Sequence, residues 1–189
     1  MADDSTREEI HDDAAADEPP RPSDQIAAAL LDRFPDSVFH ESHGQPVVYV
    51  PRAEWRDVAA FLRDEQQFTQ CMDVTAVDHL ADKERLVVPG VAQERFEVVA
   101  NYLSHPRNRR VRTICEVPAG DASVASIADL YPGVNFAERE VFDLFGIDFP
   151  GHPDLVRILM PDDWIGHPLR KDDAPGRVPV TFKGDPGPR

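Results

Sequence analysis

Two glycine–histidine–proline triplets, centred on His152 and His167, are the part of this sequence that most resembles a reactive site. Carboxylates follow them closely, at Asp154, Asp162 and Asp163. Imidazole and carboxylate groups together can bind a transition metal or act as an acid–base pair, so a stand-alone metal-dependent enzyme is one hypothesis. However, a histidine between glycine and proline is typical of a tight turn, where its ring more often hydrogen-bonds local backbone. The context therefore favours a structural role for both rings.

Other common chemistries are excluded by what the chain carries. Its two cysteines, Cys71 and Cys115, are too few for an iron–sulfur cluster, which normally needs four protein ligands. No glycine-rich nucleotide-binding motif and no G-x-S-x-G nucleophile motif occurs in the sequence. We therefore predict that this chain contains no catalytic residues and binds no metal or cofactor. If it serves redox chemistry, partner subunits must carry the cofactors.

Charge narrows the possible partners. The formal net charge is −15, which argues against binding to a nucleic acid or directly to an anionic bilayer. No apolar run approaches the roughly 18 residues that favour a membrane-spanning helix, and the N-terminus does not resemble a signal peptide. A cytoplasmic protein is predicted. The composition also predicts a disordered acidic tail over residues 1–22 and a flexible tail over residues 176–189.

The elements that must position any site follow from the hydrophobic pattern of residues 23–133. Apolar spacing predicts a helix capped by Ser23, two strands around a turn at 43–45, a second helix after Pro51, and three strands over 72–117. A further short helix is predicted over 127–131, before Pro132-Gly133. This order is typical of a two-layer α+β domain, with helices packed on one face of a mixed or antiparallel sheet.

Four arginines, Arg107, Arg109, Arg110 and Arg112, form a basic cluster in this acidic chain. Charged residues often protect the exposed edge of a sheet, and that is one interpretation. Docking to an acidic neighbour by charge complementarity is the other.

A helix over residues 135–146, ended by Gly146, carries the most informative pattern. Its apolar side chains wrap much of the cylinder, and Glu138 and Glu140 point about 200° apart at 100° per residue. Arg139 and Asp143, four residues apart, are predicted to pair within the helix. The pattern allows a core helix with ordinary surface charges, or a helix between its own domain and a partner.

The residues after this helix, 147–175, are called the strap. Prolines at 150, 153, 161, 168 and 175 prevent a long helix or a central strand. Yet the segment is rich in apolar side chains: Leu155, Ile158, Leu159, Met160, Trp164 and Leu169. Irregular backbone with this composition is typical of an interface core. Residues 134–175 are therefore predicted to be an interface helix followed by a partner-binding strap.

The same stretch carries a family resemblance. The run Glu138-Arg139-Glu140-Val141-Phe142-Asp143-Leu144-Phe145-Gly146-Ile147 is followed by Gly151-His152-Pro153-Asp154-Leu155, Arg157-Ile158-Leu159 and Gly166-His167-Pro168-Leu169-Arg170-Lys171-Asp172. Over residues 135–173 the chain resembles the C subunit of the proton-translocating NADH:quinone oxidoreductase, respiratory complex I. Val156 departs from the family pattern, where a second arginine is frequent, and Asp173-Ala174-Pro175 replaces a more usual aromatic residue.

The resemblance implies a cofactor-free docking subunit in the hydrophilic arm of that complex. It would pack against the D subunit, which helps form the quinone pocket, near the iron–sulfur B and I subunits. It would reach the cytoplasmic face of the cell membrane only through them. The complex, a translocase, uses FMN and iron–sulfur clusters to pass electrons from NADH to quinone while it pumps protons. The equivalent subunit of a membrane-bound hydrogenase or a ferredoxin:quinone reductase is an alternative, because these assemblies look alike in this subunit.

The predicted partner interface is a set of residues on the helix and the strap, whose charged members would lock the strap onto the D subunit. They are Glu138, Arg139, Glu140, Phe142, Asp143, Phe145, His152, Asp154, Arg157, Trp164, His167, Arg170 and Lys171.

Overall fold

A five-stranded sheet positions every other element of the structure, a computed structural model that describes residues 24–173. The strands are β1 (Val38–Ser42), β2 (Gln45–Tyr49), β3 (Gln70–Asp78), β4 (Phe96–Ser104) and β5 (Arg109–Val117). Their order is β1-β2-β5-β4-β3; β2 and β5 are parallel and the other neighbours are antiparallel. The predicted mixed sheet is confirmed. Both predicted tails lie outside the described residues.

Turn geometry explains the two tight connections of the sheet. His43 and Gly44 between β1 and β2 have positive φ angles of 53° and 71°, a combination that matches the twist of a two-residue hairpin. Asn108, just before β5, also has a positive φ of 47°, which asparagine tolerates better than most residues. The turn predicted at 43–45 is therefore confirmed, although it consists of residues 43 and 44 only, because Gln45 already belongs to β2.

Three helices accompany the sheet: α1 (Gln25–Arg33), α2 (Trp55–Asp64) and α3 (Val134–Phe145). The residue that caps α1 is Asp24, whose carboxylate accepts hydrogen bonds from the Ile26 and Ala27 N–H groups. This corrects the predicted start at Ser23, which lies outside the described residues. An aspartate that bonds the second and third helical N–H groups satisfies donors that have no partner within the helix.

The core lies between the helices and one face of the sheet. Side chains on β4 alternate, so that Phe96, Val98, Ala100 and Tyr102 are buried in the cluster that also contains the helix residues. The helices contribute these core side chains: Ile26, Leu30, Trp55, Val58, Leu62, Val141 and Phe145. Helices on one face of a mixed sheet are the predicted α+β arrangement. Since α3 belongs to the same core, the boundary predicted at residue 133 does not separate two cores.

The helix predicted over 127–131 is wrong. A single turn forms there, in which Leu130 and Tyr131 donate to the Ile127 carbonyl, and a 3-10 turn over Ala119–Asp121 lies upstream. The physical reason is Pro132, which has no N–H group to continue the hydrogen-bond ladder and disfavours helical backbone at the residue before it. Among the described residues, no helix is long and apolar enough to span a membrane.

Leu62→Ala should lower the free energy of unfolding by about 2–5 kcal/mol, because the side chain is fully buried between α2 and the sheet and its loss leaves a cavity. Leu86→Ala is the control, since Leu86 is 63% exposed. Urea unfolding followed by circular dichroism measures both variants. Equal midpoints for the two would contradict the described core.

Candidate functional site

The end of α3 is the point from which the strap is built. Gly146 adopts a left-handed conformation (φ 67°, ψ 34°), as the sequence predicts for a residue that ends a helix. A Cβ atom at this position would lie 2.5 Å from Nε2 of His167 and 2.8 Å from Nη2 of Arg170. Glycine is therefore required twice, for the backbone conformation and for the close packing of the strap on the helix end.

Strap residues bind the last three carbonyl groups of α3 and the carbonyl of Gly146 that follows it. A helix leaves its final four carbonyls without partners inside the helix. The partners here are His167 Nδ1–H to Asp143 O (2.9 Å), Leu169 N–H to Leu144 O (3.0 Å), Arg170 Nε–H to Phe145 O and Arg170 Nη2–H to Gly146 O (3.0 Å). The guanidinium group also places positive charge at the negative end of the helix dipole.

The carboxylate of Asp143 organises the middle of the strap. It accepts hydrogen bonds from three successive backbone N–H groups, those of Ile158 (3.0 Å), Leu159 (2.7 Å) and Met160 (2.8 Å). Its other oxygen accepts from Nη1 of Arg157 at 2.7 Å. Burial acts to raise the pKa of Asp143, but these four hydrogen bonds outweigh it and the pKa is lowered. The strap therefore folds around an ionised, fully buried aspartate.

Arg139 also binds the backbone of the strap, next to the residues that Asp143 binds. Its Nε–H donates to the Val156 carbonyl at 3.0 Å, and its Nη2–H donates to the Arg157 carbonyl at 3.1 Å. The predicted pair between Arg139 and Asp143 is therefore wrong, because the strap backbone takes up both side chains. The sequence spacing that allows a pair within the helix cannot reveal a better partner elsewhere in the fold.

The far end of the strap is fixed to the sheet by charges on Asp78, Arg95 and Asp172. Arg95 binds Asp78 at the end of β3 (2.8 Å) and Asp172 in the strap (2.5 Å), and Asp78 also accepts from the Lys171 N–H at 2.8 Å. Burial acts to raise the pKa of Asp78, but hydrogen bonds from Arg95 and two N–H groups lower it to about 2. Sequence reasoning missed Asp78 and Arg95, because Arg95 and Asp172 are 77 positions apart and no local pattern connects them.

Glu138 lies inside the fold instead of at its surface. Its carboxylate accepts from the Ser126 hydroxyl at 2.6 Å and the Ile127 N–H at 2.7 Å, and its side chain is fully buried. Burial raises the pKa of Glu138. Glu138 and Asp143 were both predicted to contact a partner, but they offer no surface for contact in this structure. They act within the chain, where Asp143 supports the strap and Glu138 supports the turn at residues 126–127.

The histidine rings bind backbone atoms of α3 and of the strap. His152 Nε2–H donates to the Asn135 carbonyl at 3.2 Å, and its Nδ1 accepts from the Asp154 N–H at 3.0 Å. Both nitrogens of this ring are thereby occupied, while the ring of His167 binds the end of the helix. In the described range 24–173, no group of three or more potential ligands is arranged to hold a metal. The geometry thus favours the turn role over the enzyme hypothesis.

The two thiols do not fit an iron–sulfur cluster. Cys115 is buried on β5 and Cys71 is partly buried on β3. Burial raises the pKa of each thiol to about 12, whereas a cluster is held by several thiolates. The donor set of this chain therefore offers no cradle for such a group.

The strap exposes several large apolar side chains. Ile165 is 94% exposed and Leu159 is 60% exposed, although the backbone around both is held by the contacts described above. Other large apolar side chains lie exposed on the strap or at the start of α3: Phe136, Val156, Ile158 and Leu169. This apolar surface, defined by these six residues, is the candidate site. Large apolar side chains that are exposed on a backbone held in place are typical of a protein-binding surface.

The other residues of the predicted interface divide by exposure. Glu140, Asp154 and Lys171 are exposed, Phe142 and Trp164 are partly buried, and Phe145 belongs to the core. Within the strap, the two most exposed large apolar side chains, Leu159 and Ile165, were not in the predicted set. Their apolar character in a proline-rich segment was the available signal.

Comparisons with known proteins identify the family. A family model described as the 30 kDa subunit of the respiratory-chain NADH dehydrogenase matches residues 48–177. The chain belongs to this family. It is 41% identical over 164 residues to the C subunit of NADH-quinone oxidoreductase from Geobacter sulfurreducens, covering 85% of this chain and 91% of that protein. It is 44% identical over 160 residues to the protein of the same name in Trichlorobacter lovleyi, covering 82% and 92%. The resemblance seen in residues 135–173 is confirmed.

Solved structures of the NADH dehydrogenase 30 kDa family and beyond share the fold. A trypsin-resistant fragment of Nqo5 matches with a TM-score of 0.59 and 30% identity, covering 69% of this chain and 99% of that one. A chain of the membrane-bound sulfane sulfur reductase, an archaeal respiratory membrane complex, matches with a TM-score of 0.58 at 22% identity, covering 87% and 96%. The second match concerns the fold alone.

Asp143→Asn should loosen the strap, because an amide cannot accept from three N–H groups and from Arg157 at once, and each stranded donor costs about 1–3 kcal/mol. Trypsin cleavage after Arg157 should become roughly tenfold faster or more, since 1.4 kcal/mol corresponds to a factor of ten. Asp148→Asn, which changes an exposed carboxylate, is the control. The same cleavage rate in both variants would contradict the role given to Asp143.

The contribution of Asp78 to stability should depend on pH. Its pKa of about 2 in the folded chain lies below the ordinary value of about 3.9, so its ionised form stabilises the fold above pH ~4. This contribution, about 2 kcal/mol, is lost as the pH falls from about 4 towards 2. The difference in unfolding free energy between the native chain and Asp78→Asn, measured by urea unfolding, should therefore shrink below pH 4. A constant difference down to pH 2.5 would argue against the ionised contact.

Proposed function

We propose that this chain is a cofactor-free docking subunit of NADH:quinone oxidoreductase, and that its strap binds a neighbouring subunit. The observation that carries the proposal is the construction of the strap, in which hydrogen bonds to Asp143 hold the backbone while five large apolar side chains remain exposed. Such a surface has no use within the chain itself. A partner would remove it from water at about 25 cal/mol per Å².

Preorganisation supports the proposal as well. An irregular segment that ordered itself only on binding would cost affinity, about 0.5–1.5 kcal/mol for each immobilised side chain. Here the backbone is already held by Asp143, Arg139 and Arg157 at one end and by Arg95 at the other. Much of that cost is therefore met during folding of the chain. The surface can provide specificity for one partner in addition to affinity, because a held backbone keeps its apolar side chains in fixed relative positions.

The partner we propose is the D subunit, with the iron–sulfur B and I subunits nearby, as the resemblance of the strap implies. Exposed charges beside the apolar surface, on Glu140, Asp154 and Lys171, would form its rim. Charges at a rim contribute to orientation and association rate more than to affinity. The chain would thereby hold the quinone pocket in register with the nearest electron carriers, where an error of about 1 Å can cost on the order of a hundredfold in rate.

In this proposal the electron carriers, FMN and the iron–sulfur clusters, belong to other subunits, as do the sites for NADH and quinone. The two cysteines support this assignment, because burial disfavours their thiolate form. Attachment to the cytoplasmic face of the membrane would occur through partner subunits. The reaction of the whole complex would be that of a translocase, in which this chain supplies no reacting group.

A related respiratory assembly is the second candidate. The fold is shared with a chain of an archaeal respiratory membrane complex that bears a different name, so the fold occurs in more than one respiratory assembly. Purification of the tagged chain from gently solubilised membranes, with identification of the accompanying subunits, distinguishes the two. Flavin and iron–sulfur subunits with NADH:quinone activity support the proposed complex, whereas a hydrogenase set would replace it.

Replacing both Leu159 and Ile165 with glutamate should prevent assembly, because each charge would be buried unpaired in the contact. We expect a loss of co-purifying subunits on the order of tenfold or more, with the melting temperature of the isolated chain unchanged. The small amount of assembled complex should keep its turnover per complex.

The matched control is Leu86→Glu with Val87→Glu, two apolar side chains that are 63% and 69% exposed in the β3–β4 connection, outside the strap. This control should assemble normally. Normal assembly of the strap variant, or loss of turnover without loss of assembly, would contradict the docking role.

A further inference from the structure

The connection between β4 and β5 forms a basic surface at one end of the sheet. Residues 107–112 contain four of the 20 basic residues of a chain whose net charge is −15. All four arginine side chains, those of Arg107, Arg109, Arg110 and Arg112, are exposed. Four like charges within six residues repel one another, which is an unfavourable arrangement unless an anionic group lies nearby. We call residues 105–112 the basic hairpin.

Within residues 24–173, the basic hairpin receives little compensating charge. Arg109 forms an ion pair with Asp24, the capping residue of α1. The Nε–H of Arg112 donates to the neutral side chain of Asn101 at 3.0 Å. No carboxylate of the described residues lies within salt-bridge distance of Arg107 or Arg110. The surface therefore keeps a local positive potential in an otherwise acidic molecule.

The shape of this region suits an extended acidic segment. A cleft of about 500 Å³ lies between the start of α1 and the basic hairpin, lined by Gln25, Ile26, Arg107 and Arg109. A second cleft of about 210 Å³ shares Arg109 with the first and has Asp24 and Arg110 among its lining residues. Asp24, the residue that directly follows residues 1–23, thus already places one carboxylate in contact with the basic hairpin.

We propose that the basic hairpin binds the acidic N-terminal segment of the same chain, residues 1–23. That segment carries eight carboxylates and two arginines, a net side-chain charge of −6. It joins the described structure at Asp24, beside Arg109. Charge complementarity and chain connection therefore point to the same occupant. This inference is independent of the docking function of the strap.

Reach and effective concentration favour the intramolecular contact. A flexible chain of 23 residues would have a root-mean-square span of roughly 25 Å. Arg109 of the basic hairpin pairs with Asp24, the residue that directly follows this segment. A linked segment over such distances has an effective concentration in the millimolar range. Contacts between charges do not require one conformation of the segment, so the acidic composition that predicts disorder is compatible with binding.

Other occupants fit less well. A nucleic acid or an anionic bilayer would meet the strongly acidic remainder of the molecule. An acidic partner subunit would have to compete with a segment that is covalently attached. The N-terminal segment would thereby occupy the basic hairpin. Only a partner with a higher density of negative charge than this segment could displace it.

The test is paramagnetic broadening in the full chain. A nitroxide on Ala14→Cys reports where the acidic segment lies, because the raised pKa of both native thiols, about 12, slows their labelling. Amide signals of Asn108, Arg109 and Arg110 should broaden, while those of residues 119–121, at the opposite end of β5, should not. Raising the salt from 0.1 M to 1 M shortens the screening length from about 10 Å to about 3 Å and should remove the broadening.

The variant pair isolates the charges. Arg107→Glu with Arg110→Glu should abolish the broadening, whereas Arg33→Glu with Lys83→Glu, an equal change of charge at exposed residues elsewhere, should leave it. Arg109 is kept because it binds the cap of α1. Circular dichroism of each variant verifies the fold.

Three results would overturn the proposal. The first is absence of broadening at the basic hairpin. The second is broadening that survives reversal of Arg107 and Arg110. The third is broadening that appears only between a labelled and an isotope-enriched copy, which would assign the contact to a second molecule. If the hairpin signals change only in the assembled complex, an acidic partner subunit is the occupant and the intramolecular contact is wrong.

Discussion

The strap depends on one buried carboxylate. Asp143 accepts three successive backbone N–H groups and a guanidinium from a segment that has no ladder or helix of its own. Irregular backbone that packs on a core must satisfy its polar groups through side chains, because unpaired buried groups cost about as much as a lost hydrogen bond. A single ionised side chain on α3 therefore determines the path of the residues that follow.

The end of α3 contributes the second half of this arrangement. Its last carbonyls need donors, and the strap supplies them through His167, Leu169 and Arg170. Each element thus satisfies groups that the other leaves unpaired. This reciprocity explains why residues that look like a metal site, above all the histidines, are bound to backbone instead. It also explains why the helix carries charge on several sides, since its inward charges serve the strap and Glu138 serves the turn before the helix.

With its polar groups satisfied internally, the strap can present apolar side chains to its surroundings. The side chain of Ile165 is 94% exposed and therefore contributes little to packing among residues 24–173. In this arrangement, different groups serve the two processes. The buried polar groups stabilise the fold of the chain, and the exposed apolar side chains are available to bind a partner. In the proposed docking role, that separation would allow this member of the 30 kDa family of respiratory NADH dehydrogenase to fold first and then to bind its neighbours.

The sequence predicted the α+β fold, the five strands and the end of α3 because these depend on local periodicity and on residues such as Pro51 and Gly146. It could not predict contacts between distant positions. The Arg95–Asp172 pair is invisible to local patterns, and the pair predicted between Arg139 and Asp143 is wrong because tertiary partners were better. The inward direction of Glu138 was also missed, since charge alone suggests a surface position.

The most direct measurement is photo-crosslinking from a benzoylphenylalanine placed at Ile165 in the assembled complex. Position 165 touches nothing that the fold of the chain requires, so the substitution tests contact and not stability. The docking account predicts one dominant adduct, with the D subunit, and none with the same probe at Val87 in the β3–β4 connection. An assembled, active complex that gives no adduct from position 165 would show that the apolar surface faces water, and would contradict the account.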